Sequence, residues 1–137
     1  MLYLNPLAKP TEQLAASLAY GDSDLAAGDP ALARQFRAAA IQAFEYTFEL
    51  CVKMLRRRLN DILSAEEVGR LSYRELIRIG AEKGFIDDPV PWFRFREMRN
   101  ITSHTYDEGK AGQIASVLPE FLDKARFLLH ELERSAS

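Results

Sequence analysis

Cysteine is nearly missing from this chain of 137 residues, where Cys51 stands alone. A lone thiol excludes an intramolecular disulfide and points to an intracellular, cytoplasmic home; its place among the apolar positions of a helical stretch suits packing better than catalysis. Histidine is almost as scarce, with only His104 and His130. No apolar run approaches the roughly 18 residues that cross a bilayer, and Met1 to Pro10 lack the basic start and apolar stretch of a signal peptide. A surplus of positive charge is also absent. The formal net charge of -2 excludes a general nucleic-acid coat, so any contact with RNA must be local. What remains, 47% hydrophobic and 28% charged residues, describes one ordinary globular domain over 1–137, with 1–10 as an N-terminal extension.

No alternating strand pattern, internal repeat or low-complexity linker interrupts a helical period. Leu14, Leu18 and Leu25 mark a first helix from Thr11 to about Ala27, with Gly21 as its weak point. Asp29 and Pro30 open the longest element, because aspartate caps free amides and proline suits the first helical position. From there to about Leu63, Ile41, Phe44, Phe48, Val52, Leu55, Leu59 and Ile62 form an apolar stripe on a helix roughly 50 Å long. Ser72 and Glu75 predict a capping box for a shorter helix that leaves through Gly84. Asp88 and Pro89 start a helix carrying Trp92, Phe95 and Met98 to about Ser103. A last helix, starting near Thr105 or Asp107, buries Ile114, Leu118, Phe121, Leu122, Ala125, Leu129 and Leu132, with a kink expected at Pro119. The economical architecture is all-α: an antiparallel up-and-down bundle of four main helices plus a short one.

Chemistry concentrates in Arg99-Asn100-Ile101-Thr102-Ser103-His104-Thr105-Tyr106. An imidazole with an ordinary pKa of about 6.5 both takes and gives protons near neutrality, and a guanidinium is always charged and matches phosphate geometry. In one regular helix Arg99 and His104 would stand about 140° apart, on different faces. They meet at one phosphate only if the helix breaks just before His104 or if a second protomer supplies the missing group across a two-fold axis. Asn100, four residues before His104, is spaced to orient the imidazole. The plainer uses are a histidine matched to the negative end of a helix dipole and a tyrosine that anchors the next helix. His130 reads as a surface residue. Glu45 and Glu49 share a helix face as dimer or partner contacts, since no histidine or further carboxylate completes a metal-ligand spacing with them. Lys53, Arg56, Arg57 and Arg58, and Arg70, Arg74 and Arg78, read as solvated faces. Arg94, Arg96 and Arg99 lie close enough to His104 to track an RNA backbone. Trp92 and Phe93 read as core before they read as base-stacking platforms.

The motif Arg99-x-x-x-x-His104-x-Tyr106 resembles the signature of the HEPN superfamily (higher eukaryotes and prokaryotes nucleotide-binding), in particular members paired with a minimal nucleotidyltransferase. Ile41-Gln42-x-Phe44-Glu45-x-Thr47-Phe48-Glu49-Leu50-x-x-Lys53 looks like that family's long helix, Ala81 to Asp87 like its short helix and exit, and Met98 to Glu108 like its motif segment. The resemblance implies the toxin of a toxin–antitoxin pair: a homodimeric, metal-independent endoribonuclease that needs no cofactor and leaves a 2′,3′-cyclic phosphate. His104 and Arg99 would be catalytic, Asn100 would orient His104, and Tyr106 would be the tyrosine that the partner nucleotidyltransferase modifies with AMP. It equally admits a non-catalytic subunit that binds a nucleotide or presents a substrate to the nucleotidyltransferase.

Overall fold

Helix α1 (Asn5–Gly21) begins before the expected Thr11, so the chain from Asn5 onward is helix and not extension. The computed structural model describes residues 5–136; Met1 to Leu4 of the expected extension, and Ser137, lie outside the described residues. The weak point at Gly21 is a true break. Ser23 caps a separate single turn, α2 (Asp24–Ala27), by accepting from the Ala26 N–H. That break carries Leu25 off the face that buries Leu14, and Leu25 is 68% exposed where burial was expected.

Local signals set most later boundaries. Asp29 accepts from the N–H groups of Ala31 and Leu32 and opens α3 (Pro30–Ile62), with proline in its first turn. Its buried face carries Ile41, Phe44, Phe48, Cys51, Leu55 and Leu59, with Val52 partly buried beside them. Ile62, expected at the end of that stripe, is instead 38% exposed, because the helix stops there and Leu63 in the cap packs on the core. A one-turn helix not anticipated above, α4 (Ala65–Gly69), follows a Ser64 cap whose side chain accepts from the Glu67 N–H and buries Val68.

Ser72 and Glu75 form the expected capping box of α5 (Tyr73–Glu82), each side chain accepting the other's backbone N–H. Gly84, with φ +87°, ends it: its N–H reaches the Ala81 carbonyl while the Phe85 N–H reaches Gly80, a Schellman exit that only glycine enters without strain. Asp88 then caps α6 (Pro89–Asn100) through the Val90 N–H. The last helix, α7 (Glu108–Ala136), runs without interruption through Pro119. Four main helices and the shorter α5 therefore stand as expected, joined by two single-turn helices, with no strand among the described residues.

Successive long helices reverse direction, so α3 and α7, second and fourth in the bundle, run parallel. Arg37 near the start of α3 pairs with Glu108 at the start of α7 at 2.7 Å, and Arg58 near the end of α3 donates to Ser135 near the end of α7 at 3.0 Å. Phe121 of α7 sits between helices, with ring centroids 4.8 Å from Phe44 of α3, 5.1 Å from Phe95 of α6 and 5.9 Å from Trp92, all edge-on. Such pairs each add about 0.5–1.5 kcal/mol beyond their buried area. The Tyr73 hydroxyl, buried and pushed above its ordinary pKa by desolvation, donates to the Trp92 carbonyl at 2.8 Å and fastens α5 to α6. Gly80 brings α5 against α3 so closely that a Cβ there would meet Leu55 at 3.2 Å. No helix among the described residues is long and apolar enough to cross a membrane.

Two outcomes follow for stability. Phe121→Ala should lower the unfolding free energy by about 3–5 kcal/mol in urea titrations, since it empties the common contact of three helices. Glu75 is held below its ordinary value of 4.5, first by the Ser72 backbone N–H and then by the Ser72 hydroxyl. A depressed carboxyl contributes stability that is present above the unfolded value and lost as pH falls through the folded one. Glu75→Gln should therefore lose less stability than the native chain on acidification below about pH 4.5, read by thermal melts across pH.

Candidate functional site

Between α6 and α7 the chain makes a short, fully bonded turn that holds the motif. In a continuous helix the Arg99 carbonyl would accept from the Ser103 N–H; here the Thr102 hydroxyl donates to it at 2.8 Å. Regular helix accordingly ends at Asn100, earlier than the expected Ser103, and Thr102–His104 form one 3₁₀ turn. Backbone bonds from the His104 N–H to Ile101 and from the Asp107 N–H to His104, both 3.0 Å, close the turn. Asp107 then opens α7, its carboxylate accepting from the N–H groups of Gly109 and Lys110. Of the two starts considered for the last helix, Asp107 is the cap. The break before His104 was one of the two arrangements that free the imidazole from the face of Arg99.

Arg99 is held on three sides. Its Nε donates to Glu49 Oε1 at 2.7 Å, its Nη1 donates to Thr102 Oγ1 at 3.3 Å, and Nη2 lies 3.9 Å from Glu45 Oε1. Glu45 and Glu49, one turn apart on α3, thus face the motif arginine within the chain, in place of the partner-facing role expected of them. The guanidinium keeps 31% of its side-chain surface exposed and Glu49 keeps 58%, so the pair contributes no more than about 0.2–1 kcal/mol and an incoming anion competes for the same donors on nearly equal terms.

His104 belongs to a second pair. Its Nδ1 lies 3.4 Å from the Tyr106 hydroxyl, and the two rings stand 5.9 Å apart, edge to face. Tyr106 itself is 82% exposed. The contact expected between Asn100 and His104 is not formed, because four-residue spacing joins side chains only along an unbroken helix and this helix stops between them. Asn100 instead lines, with Arg99, Arg96 and Arg56, a cavity of roughly 300 Å³ between α3 and α6. Among the described residues no hydrogen bond joins Arg99 to His104 within one chain.

Across nearly its whole length the chain matches the family described as "Nucleotidyltransferase substrate binding protein like", over residues 4–134. The chain belongs to that family. It is a helical protein of the HEPN and minimal nucleotidyltransferase type that the motif resembles. A Haemophilus influenzae relative named "Probable ribonuclease HepT" is 39% identical over 98 residues, which cover 71% of this chain and 67% of the relative. A solved Haemophilus influenzae structure, described as revealing the fold of a substrate-binding domain of a nucleotidyltransferase, superposes with a TM-score of 0.88 at 33% identity, covering 96% of this chain and 99% of that one. A crystal structure from Thermus thermophilus superposes with a TM-score of 0.65 at 27% identity, covering 90% and 98%.

The other candidate groups of this family member take quieter places. Cys51 is completely buried and desolvation pushes its thiol far above the ordinary range, so it packs and does not attack. His130 is 72% exposed beside Glu131, as expected of a surface residue. Trp92 is core at 1% exposure, while Phe93 lies partly buried under the guanidinium groups of Arg74 and Arg78. Among the described residues no three His, Cys, Asp or Glu side chains gather as metal ligands do.

Sequence reasoning missed Thr102 and the way Glu45 and Glu49 face Arg99. The first left a legible trace, a hydroxyl three residues after the arginine whose carbonyl it takes. The second left none, because the pairing spans fifty residues. Thr102→Val should cost about 1 kcal/mol in a urea titration, since it leaves the last carbonyl of α6 without its hydroxyl partner and unfastens Arg99.

Proposed function

We propose that this protein is a metal-independent endoribonuclease, the toxin-like half of a toxin–antitoxin pair with a minimal nucleotidyltransferase, working as a homodimer in the cytoplasm. The observation that carries the reading is the turn itself: it breaks the helix before His104 and leaves an accessible imidazole on a short, rigid link from a guanidinium. Arg99 and His104 are not bonded to one another within a chain, and a two-fold partner would bring the His104 of one protomer to the Arg99 of the other. The name of the Haemophilus relative supports the same chemistry.

In that chemistry one His104 takes the proton of a ribose 2′-hydroxyl as its oxygen forms a bond to the neighbouring phosphorus. The bond from phosphorus to the 5′-oxygen breaks, and the second protomer's imidazolium returns a proton to that leaving oxygen. The products are a 2′,3′-cyclic phosphate and a 5′-hydroxyl. Arg99 turns from Glu49 to the scissile phosphate and stabilises the charge that grows on its oxygens. Asn100, beside Arg99 in the cavity, contacts the substrate. AMP attached by the nucleotidyltransferase to the exposed Tyr106 hydroxyl would break its contact with His104 and set an anion beside the imidazole, which silences the site.

A second reading, a non-catalytic subunit that binds a nucleotide for the nucleotidyltransferase, draws on the solved relative described as a substrate-binding domain. RNA digestion in excess chelator separates the two. The nuclease reading expects cleavage by the native dimer, a fall of about 10²–10⁴-fold in His104→Ala and about 10²–10³-fold in Arg99→Ala, with folding unchanged by circular dichroism. Intact RNA with the native protein, accompanied by saturable nucleotide binding that Arg99→Ala abolishes, would establish the second reading and remove the first.

A further inference from the structure

Over much of the surface each cation faces a carboxylate: Arg37 faces Glu108, Arg70 faces Glu66, Arg94 faces Glu120 and Lys124 faces Asp87. Lys53, Arg56 and Arg57 of α3, Arg74 of α5 and Arg96 of α6 have no acidic partner among the described residues. These five are not scattered. The cavity beside Arg99 shares Glu49, Val52 and Arg56 with a hollow of roughly 420 Å³ along α3, which adds Lys53 and Arg57. On its other side it shares Tyr73 and Arg96 with a hollow of roughly 320 Å³ between α5 and α6, which adds Arg74 and Phe93. The result is one continuous furrow with Arg99 at its middle.

Six cations line it, against the two carboxylates of Glu49 and Glu97, a local excess of four in a protein whose formal net charge is -2. Its two halves differ in chemistry. Along α3 the cations stand without aromatic neighbours in the lining and offer only charge. Between α5 and α6 each arginine lies over a ring, Arg96 at 4.7 Å above Tyr73 and Arg74 at 4.4 Å above Phe93. A guanidinium held flat on a ring keeps its outer face open for stacking and its N–H edge open for phosphate.

We infer that this furrow is the track for a single strand of RNA, with phosphates running along Lys53, Arg56 and Arg57 and unpaired bases stacking on the Arg96 and Arg74 planes. The inference rests on the ribonuclease reading and extends it to a substrate class: a duplex keeps its bases stacked on one another and has no use for those planes. An acidic protein partner would match the charge but not the flat, ring-backed arginines.

The test uses the full-length His104→Ala protein in chelator, with a short dye-labelled single-stranded RNA followed by fluorescence anisotropy over a salt series. Arg56→Gln with Arg96→Gln should weaken binding at least tenfold and lower the slope of log affinity against log salt by about 1.4, at 0.7 per lost phosphate contact. Arg96→Lys should keep the slope and still lose affinity, while Arg34→Gln with Arg126→Gln, outside the furrow, should stay within twofold of the parent. Unchanged RNA binding in the double furrow variant overturns the track, as does equal affinity for a duplex of the same sequence or a loss confined to nucleotidyltransferase capture. If furrow-dependent binding holds but the His104-bearing protein cuts nothing, the track stands and the nuclease reading falls. If the double variant with His104 intact cuts RNA at native KM, the nuclease reading stands and the track falls.

Discussion

The edge-on packing of Phe121 against Phe44, Phe95 and Trp92 is the contact on which the rest of the molecule depends. It is the place where α3, α6 and α7 touch one residue in common, and aromatic rings at these spacings resist sliding because their edges and faces are oppositely charged. With those three helices registered, the connection between α6 and α7 has little freedom left. Its seven residues must leave α6, turn and enter α7 within a fixed gap, and the Thr102 hydroxyl and the Asp107 carboxylate supply the bonds that let them do so. A constraint made of hydrocarbon thus fixes where a guanidinium and an imidazole emerge.

Charge arranges what the core has positioned. Arg99 rests on Glu49 and Glu45, a contact that keeps the guanidinium from wandering and is exposed enough to yield to a phosphate. The remaining cations divide by face: those elsewhere on the bundle are largely neutralised by neighbours, while those between α3, α5 and α6 are left open. A net charge near zero therefore conceals a localised positive strip, and whole-chain charge was a poor guide to what this surface can hold. Whether the anion is a polynucleotide or a single nucleotide, it meets the same three arginines around the same small hollow.

Legibility in the sequence followed the range of the interaction. The caps at Asp29, Ser72 and Asp88 and the exit at Gly84 were readable because each is a bond between residues at most a few positions apart, decided by the residue types themselves. Leu25 and Ile62 were misplaced because a stripe extrapolated by period takes no account of where the helix ends, and α4 was passed over although Ser64 and Glu67 carry a cap signal like that of Ser72 and Glu75. The motif was visible as a cluster of residue types, and so was the need for a break. The position of that break was not, because Thr102 ends α6 by a side-chain bond in a stretch without proline or glycine. Least legible were the partners of Arg99 and the convergence of Arg56, Arg74 and Arg96, since these meet only after three helices have packed.

The way the two motif side chains are attached has a mechanical corollary. Arg99 is moored to α3, whereas His104 hangs from the link that feeds α7, so the gap between them is a readout of how those two parallel rods sit against each other. A protein that grips both rods from outside works like a hand on a pair of calipers. It resets the distance between cation and ring without touching either one, and control of the pair is available to any binder broad enough to span the bundle.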